Sequence, residues 1–151
     1  MKLNNIDTIH VGSMLDEKLI ASYRQTQYRI FTEHETIDVT IDYYSHSIES
    51  LLSASSSDSA AIVTAYNPYS QLRNEEENYL ANELLRAVLI KNNHRFLESL
   101  NIDPIQVWPA EKSFLVLDLD INTAENIGRK FNQNSIVWID RSAIARLILL
   151  R

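Results

Sequence analysis

Between Ala60 and Asp140 the apolar pattern changes period in a fixed order: strand, helix, strand, strand, helix, strand. That order constrains the fold more than any composition figure, because each helix must carry the chain back across the sheet its strands build. Ala60 to Ala65 reads as a buried strand, and Asn67-Pro68 then breaks the ladder. Asn74 with Glu77 three residues on is a capping box, opening a helix to about Asn92 with Leu80, Leu84, Leu85, Val88 and Leu89 as its core face. Arg95 to Leu97 reads as a strand, Leu100 to Lys112 as mostly loop around Pro104 and Pro109, and Ser113 to Leu117 as an apolar strand. Asn122 caps a second helix whose Ala124, Ile127, Gly128 and Phe131 share a face. Glycine costs about 1 kcal/mol against alanine inside a helix, so Gly128 points to close packing on the sheet. Ser135 to Asp140 completes the series.

Further elements flank this core. Ser13 to Asp16 starts a helix bearing Leu15, Leu19, Ile20 and Tyr23. Gln27 to Phe31 and the alternating Ile37, Val39, Ile41 and Tyr43 make a hairpin linked through Thr32 to Thr36. Ser47 caps a brief helix with Ile48, Leu51 and Leu52, a serine-rich connector covers Ser53 to Ser59, and Ile144 to Leu150 forms a last strand. The expectation is one α+β domain over residues 1–151. Its core, about 60–140, has the split βαβ order of a ferredoxin-like fold, with an N-terminal helix and hairpin extension and an extra C-terminal strand.

In that topology the first and second core strands run parallel and the third and fourth run opposite. One end of the sheet therefore collects Tyr66 to Ser70, Asn74 to Asn78, Leu100 to Glu111 and Arg129 to Asn134, while Asp118 and Asp120 fall at the other. Asn67, Asn78, Gln133 and Asn134 would then stand beside Tyr66, Trp108 and Glu111. Amides bind ligands or cap backbone but are poor acids, bases and nucleophiles, so this set suggests binding before reaction.

Composition excludes several classes. The 151 residues include no cysteine, which removes disulfides, thiolate metal sites and cysteine nucleophiles. Two glycines in the whole chain leave no phosphate-binding glycine loop. His10, His34, His46 and His94 share no ligand spacing, so neither a metal nor another cofactor is expected. A net charge of −6 argues against nucleic acid, and RNA binding on the sheet face would need exposed aromatics that the aliphatic central strands lack. No apolar run is long enough to span a bilayer and no secretion signal is evident, so the chain reads as cytoplasmic.

Four separated segments also carry a resemblance. Thr64-Ala-Tyr-Asn-Pro-Tyr-Ser70, Asn78, Trp108-Pro109 with Glu111 and Ser113-Phe114, and Gly128 to Asn134 running into Ile136-Val-Trp138 resemble a bacterial family catalogued only as a domain of unknown function, number 3293. The likeness covers roughly Tyr23 to Leu150. Asn132 stands where such proteins tend to carry glycine. The resemblance implies a stand-alone domain and no established activity.

Each candidate has a plain alternative. Asn67-Pro68 is a common turn former. Ser70 lacks a neighbouring histidine to make it a nucleophile, and Asn78 either borders a pocket or bonds a loop. Gln133 and Asn134 also terminate a helix, while Arg129 and Lys130 suit its dipole. Trp108 either stacks on a ligand or fills the core beneath its loop. The leading expectation is a binding site for a small polar or nucleotide-like ligand at Tyr66, Asn67, Ser70, Asn78, Trp108, Glu111, Arg129, Gln133 and Asn134. Two other classes stand beside it: a hydrolase with Glu111 activating water and Arg129 steadying charge, and an interaction module or homodimer pairing through the Ile144 to Leu150 edge.

Overall fold

The computed structural model describes residues 15–151, so His10, Ser13 and Met14 lie outside the described residues. Asp16 caps the first helix, α1 (Glu17–Gln25), its carboxylate accepting from the Leu19 N–H at 2.8 Å. The hairpin follows as β1 (Gln27–Phe31) and β2 (Thr36–Thr40), in antiparallel register Gln27 to Thr40. The Ile37, Val39, Ile41 alternation is buried as expected, but Tyr43 is 63% exposed. Asp42 takes a left-handed φ of 73° just before it and turns the chain out of the pleat. Ser45, not Ser47, caps α2 (His46–Ala54).

The core series is β3 (Ala60–Val63), α3 (Glu75–Lys91), β4 (Phe96–Ile102), β5 (Glu111–Leu117), α4 (Ile121–Lys130) and β6 (Ser135–Ile139), followed by β7 (Arg146–Leu149). Asn74 and Glu77 form the expected capping box. Asp120 rather than Asn122 caps α4, accepting from the Thr123 N–H at 2.8 Å, and a carboxylate there also suits the helix dipole. The expected loop Leu100 to Lys112 shortens to residues 103–110, because β4 and β5 pair as far as Asn101 with Glu111. Pro104 and Pro109 suggested a longer loop, yet both lie inside residues 103–110 and leave the ladder on either side intact. Ser99 and Ser113 hydroxyls lie 2.6 Å apart, and Ser113 Oγ donates to Asn101 Oδ1 at 2.6 Å.

All seven strands form one antiparallel sheet in the order β2-β1-β4-β5-β3-β6-β7. The fold is mixed α+β, with four α-helices among the described residues. Ile20, Ile48 and Leu52 from α1 and α2 pack one face of the sheet on Ile30, Ile62 and Leu115. Leu85 and Leu89 of α3, with Ala124 and Ile127 of α4, pack the other on Val63, Phe114 and Val116. Both faces of the central strands are thus covered, which is why β3 is apolar at every position.

The expected core face of α3 needs correction. Leu80 is 56% and Leu84 64% exposed, while Asn78, Asn82, Leu85 and Leu89 form the buried stripe. At about 100° per residue, Leu80 and Leu84 lie roughly opposite Asn78 and Asn82. Gly128 does what its position suggested: a Cβ there would come within 2.5 Å of Leu150 Cδ1 and 2.7 Å of Ile136 Cγ2.

Candidate functional site

The polar end of the sheet begins where β3 stops. Thr64 Oγ1 donates to the Lys112 carbonyl at 2.6 Å and accepts from the Tyr66 N–H, turning the chain out of the ladder. Asn67 then adopts φ 45°, ψ 63°, and Tyr69 and Ser70 follow at φ 56° each. Three left-handed residues in four, one of them ahead of a proline, cost on the order of 1–3 kcal/mol each and persist only where the surroundings hold them.

The amides hold them. The Asn67 N–H donates to Asn78 Oδ1 at 2.9 Å, and Asn78 Nδ2 donates back to Asn67 Oδ1 at 2.9 Å. Asn67 Oδ1 also accepts from the Arg73 N–H, and Asn67 Nδ2 donates to Glu111 Oε2 at 2.7 Å. Gln133 Nε2 donates to the carbonyls of Tyr66 and Phe131. Asn132 takes φ 56°, a left-handed conformation that favours glycine and that asparagine tolerates. Its carbonyl accepts from the Tyr69 N–H at 2.8 Å and its side chain from the Tyr69 hydroxyl at 3.0 Å.

A second knot ties in α1. The Tyr23 hydroxyl and Ser70 Oγ are 2.5 Å apart, and Asn134 Nδ2 donates to both, at 2.9 and 3.2 Å. Burial pushes the Tyr23 phenol up, against the opposing effect of its bonds to Ser70 and Asn134, so it makes a poor base for activating Ser70. Arg151 donates to Asn134 Oδ1 at 3.1 Å and lies over the Tyr69 ring at 4.3 Å.

Glu111 is the ionisable group between the two knots. Burial pushes its carboxyl above the usual range, while bonds from Asn67 and from Trp108 Nε1 at 3.1 Å pull the other way. Both donors reach Oε2, which leaves Oε1 without a donor among the described residues.

Two connected spaces open here. A cavity of about 60 Å³ lies beside Tyr28, Thr64, Ser70, Glu111, Gln133 and Asn134, room for waters but not for a metabolite. A groove of about 310 Å³ runs between α1 and the β4–β5 loop, walled by Leu19, Tyr23, Ile105, Val107, Trp108 and Glu111. They share Tyr23, Thr26, Ser70, Asn101 and Glu111. Asp103 shapes the loop, its carboxylate accepting from the N–H groups of Ile105, Val107 and Trp108, which holds that carboxyl below its usual range. A third, open cleft of about 510 Å³ touches Tyr66, Asn67 and Asn78 from the α3 side.

Eight of the nine residues singled out from sequence are therefore brought together: Tyr66, Asn67, Ser70, Asn78, Trp108, Glu111, Gln133 and Asn134. Arg129 is exposed on the last turn of α4 and lines none of these three spaces. Arg73 and Lys112 line the cleft on the α3 side, and Arg151 reaches Asn134. Sequence reasoning also passed over Tyr23, Thr26 and Asn101. Tyr23 looked like one more apolar position of α1, and only the docking of that helix over Ser70 reveals its hydroxyl. Asp103 had a readable signal, since aspartate before proline favours a turn. Asp118 and Asp120 sit at the far end, as expected, where Asp118 accepts from the Asp58 N–H.

Residues 63–136 match the family model described as a protein of unknown function, DUF3293. No curated protein and no solved structure matches the chain. Among the described residues no helix is long and apolar enough to cross a membrane.

Proposed function

Residues 63–136 belong to the DUF3293 family, proteins of unknown function, and from the geometry of the site we propose that the chain is a binding domain for a small polar or nucleotide-like ligand. The observation that carries this reading is the groove itself. Its 310 Å³ falls within the roughly 300–1,000 Å³ typical of small-molecule sites, and its apolar walls end on a half-buried carboxylate with an unclaimed oxygen. The amides take a different part from the one their sequence suggested. Asn67, Asn78 and Gln133 are buried and occupied with one another and with backbone, so they set the backbone behind the site, and Tyr23, Ser70, Trp108 and Glu111 face the ligand.

We infer with it that the four central strands have the ferredoxin-like, split βαβ arrangement. Their order β4-β5-β3-β6, with α3 joining β3 to β4 and α4 joining β5 to β6, supports that. The hydrolase alternative pairs Glu111 with Arg129, and Arg129 is exposed and does not line the groove.

A thermal-shift screen of wild type and Trp108→Ala against metabolites and nucleosides tests the reading. A ligand at about 100 times its Kd adds roughly 2.7 kcal/mol of stability, so a true ligand raises the melting temperature of wild type and not of the variant. Equal shifts in both proteins would place binding elsewhere.

A further inference from the structure

The groove's walls carry charge of one sign among the described residues, and the inference drawn from that rests on the ligand-site reading above. Among the described residues lining the groove, Asp103 and Glu111 alone carry formal charge. The basic residues of this end are directed elsewhere: Arg73 and Lys112 line the cleft on the α3 side, and Arg151 is engaged with Asn134 and Tyr69. Asp103 is held ionised by three backbone N–H groups, and Glu111 has one oxygen open. The rim is apolar and uncovered, with Ile105 73% and Val107 79% exposed.

We propose that the groove binds a small organic cation, an aromatic or branched aliphatic body carrying a protonated amine, with the amine against Glu111 and the body against Leu19, Ile105, Val107 and Trp108. An amine supplies the donors that Glu111 Oε1, the Tyr23 hydroxyl and Ser70 Oγ can accept. A carboxylate or phosphate in the same place would face two like charges with no cation among the described residues of the walls, so anionic metabolites are disfavoured.

The test uses the ¹⁵N-labelled protein and four probes at neutral pH: phenethylamine, 2-phenylethanol, 3-phenylpropionate and adenosine. The reporter is the Trp108 indole N–H, which bonds Glu111. The Trp138 indole, bonded to the Leu119 carbonyl at the other end, is the internal control. Phenethylamine is expected to move the Trp108 signal saturably, to bind at least ten-fold tighter than the alcohol, and to outcompete the acid entirely. Glu111→Gln should weaken the amine at least ten-fold. Val107→Lys, at an exposed rim position, should weaken it several-fold with an unchanged melting temperature, which separates charge selection from loss of fold. If the acid, the alcohol or adenosine binds at Trp108 as tightly as the amine, or the amine is indifferent to both substitutions, the charge inference is overturned while the ligand site stands. If none of the four probes moves the Trp108 signal, both fall.

Discussion

Asn67 stands in a left-handed conformation directly ahead of Pro68, and each of its polar groups is spoken for: N–H and Oδ1 by Asn78, Oδ1 again by Arg73, Nδ2 by Glu111. A sequence displays that such residues are polar and, through the order of strands and helices, which end of the sheet they share; it does not display that their partners are each other. That is why the convergence of Asn67, Asn78 and Gln133 was legible and their occupation was not. Glu111 is the residue whose ionisation should be felt in stability. Burial raises its folded pKa above the ordinary 4.5, so the folded state holds the proton more tightly than the unfolded one. Stability contributed by the protonated group is then fully present below about 4.5 and is lost as pH rises through the folded value. Glu111→Gln keeps an acceptor for Asn67 and Trp108 without that ionisation. Urea unfolding from pH 4 to 8 should find the variant gaining on wild type as pH rises through this window and level above it; a difference independent of pH would contradict the assignment.

At the scale of elements, the helix α3 explains most of what sequence periodicity misjudged. Its leucines are numerous enough to draw an apolar stripe through Leu80 and Leu84, yet the helix is fixed by its capping box and by Asn78 reaching the β3 exit, and these ties rotate Asn78 and Asn82 inward. Polar anchors outrank a marginal apolar surplus, because a buried unpaired amide costs about 1–3 kcal/mol. Asn82 is where that accounting is incomplete, since its Oδ1 is buried with no donor among the described residues. Asn82→Leu is therefore expected to stabilise by about 1 kcal/mol, and Leu84→Lys to stay within about 0.5 kcal/mol of wild type. Chemical denaturation of the two variants checks both. The β4–β5 pair was undercounted for a different reason: Pro104 and Pro109 made all of Leu100 to Lys112 read as loop, whereas the strands continue to Asn101 and from Glu111, tied by the Ser99, Ser113 and Asn101 side chains.

Across the whole molecule, the order of strands and helices along the chain between Ala60 and Asp140, and the end of the sheet where the motifs meet, could be read from the sequence. The part played by the N-terminal elements could not. The stripes of α1 and α2 indicate that they pack somewhere, but not that they close the second face of the sheet and bring Tyr23 onto Ser70 and Asn134. The groove exists because of that docking, one wall being α1 and the other the loop shaped by Asp103. The result is a division of labour in which buried amides fix a strained turn and a groove stays open beside it. Asn78 is the residue on which this division turns, joining α3 to the β3 exit and, through Asn67, to Glu111 on β5. The most direct measurement is urea unfolding of Asn78→Ala beside wild type. A loss of about 2–3 kcal/mol with an unchanged denaturant slope is expected, since the alanine strands the buried Asn67 N–H and removes one of the two donors to Asn67 Oδ1. Stability within about 0.5 kcal/mol of wild type would contradict it, because amides that can be removed without cost are not holding the turn.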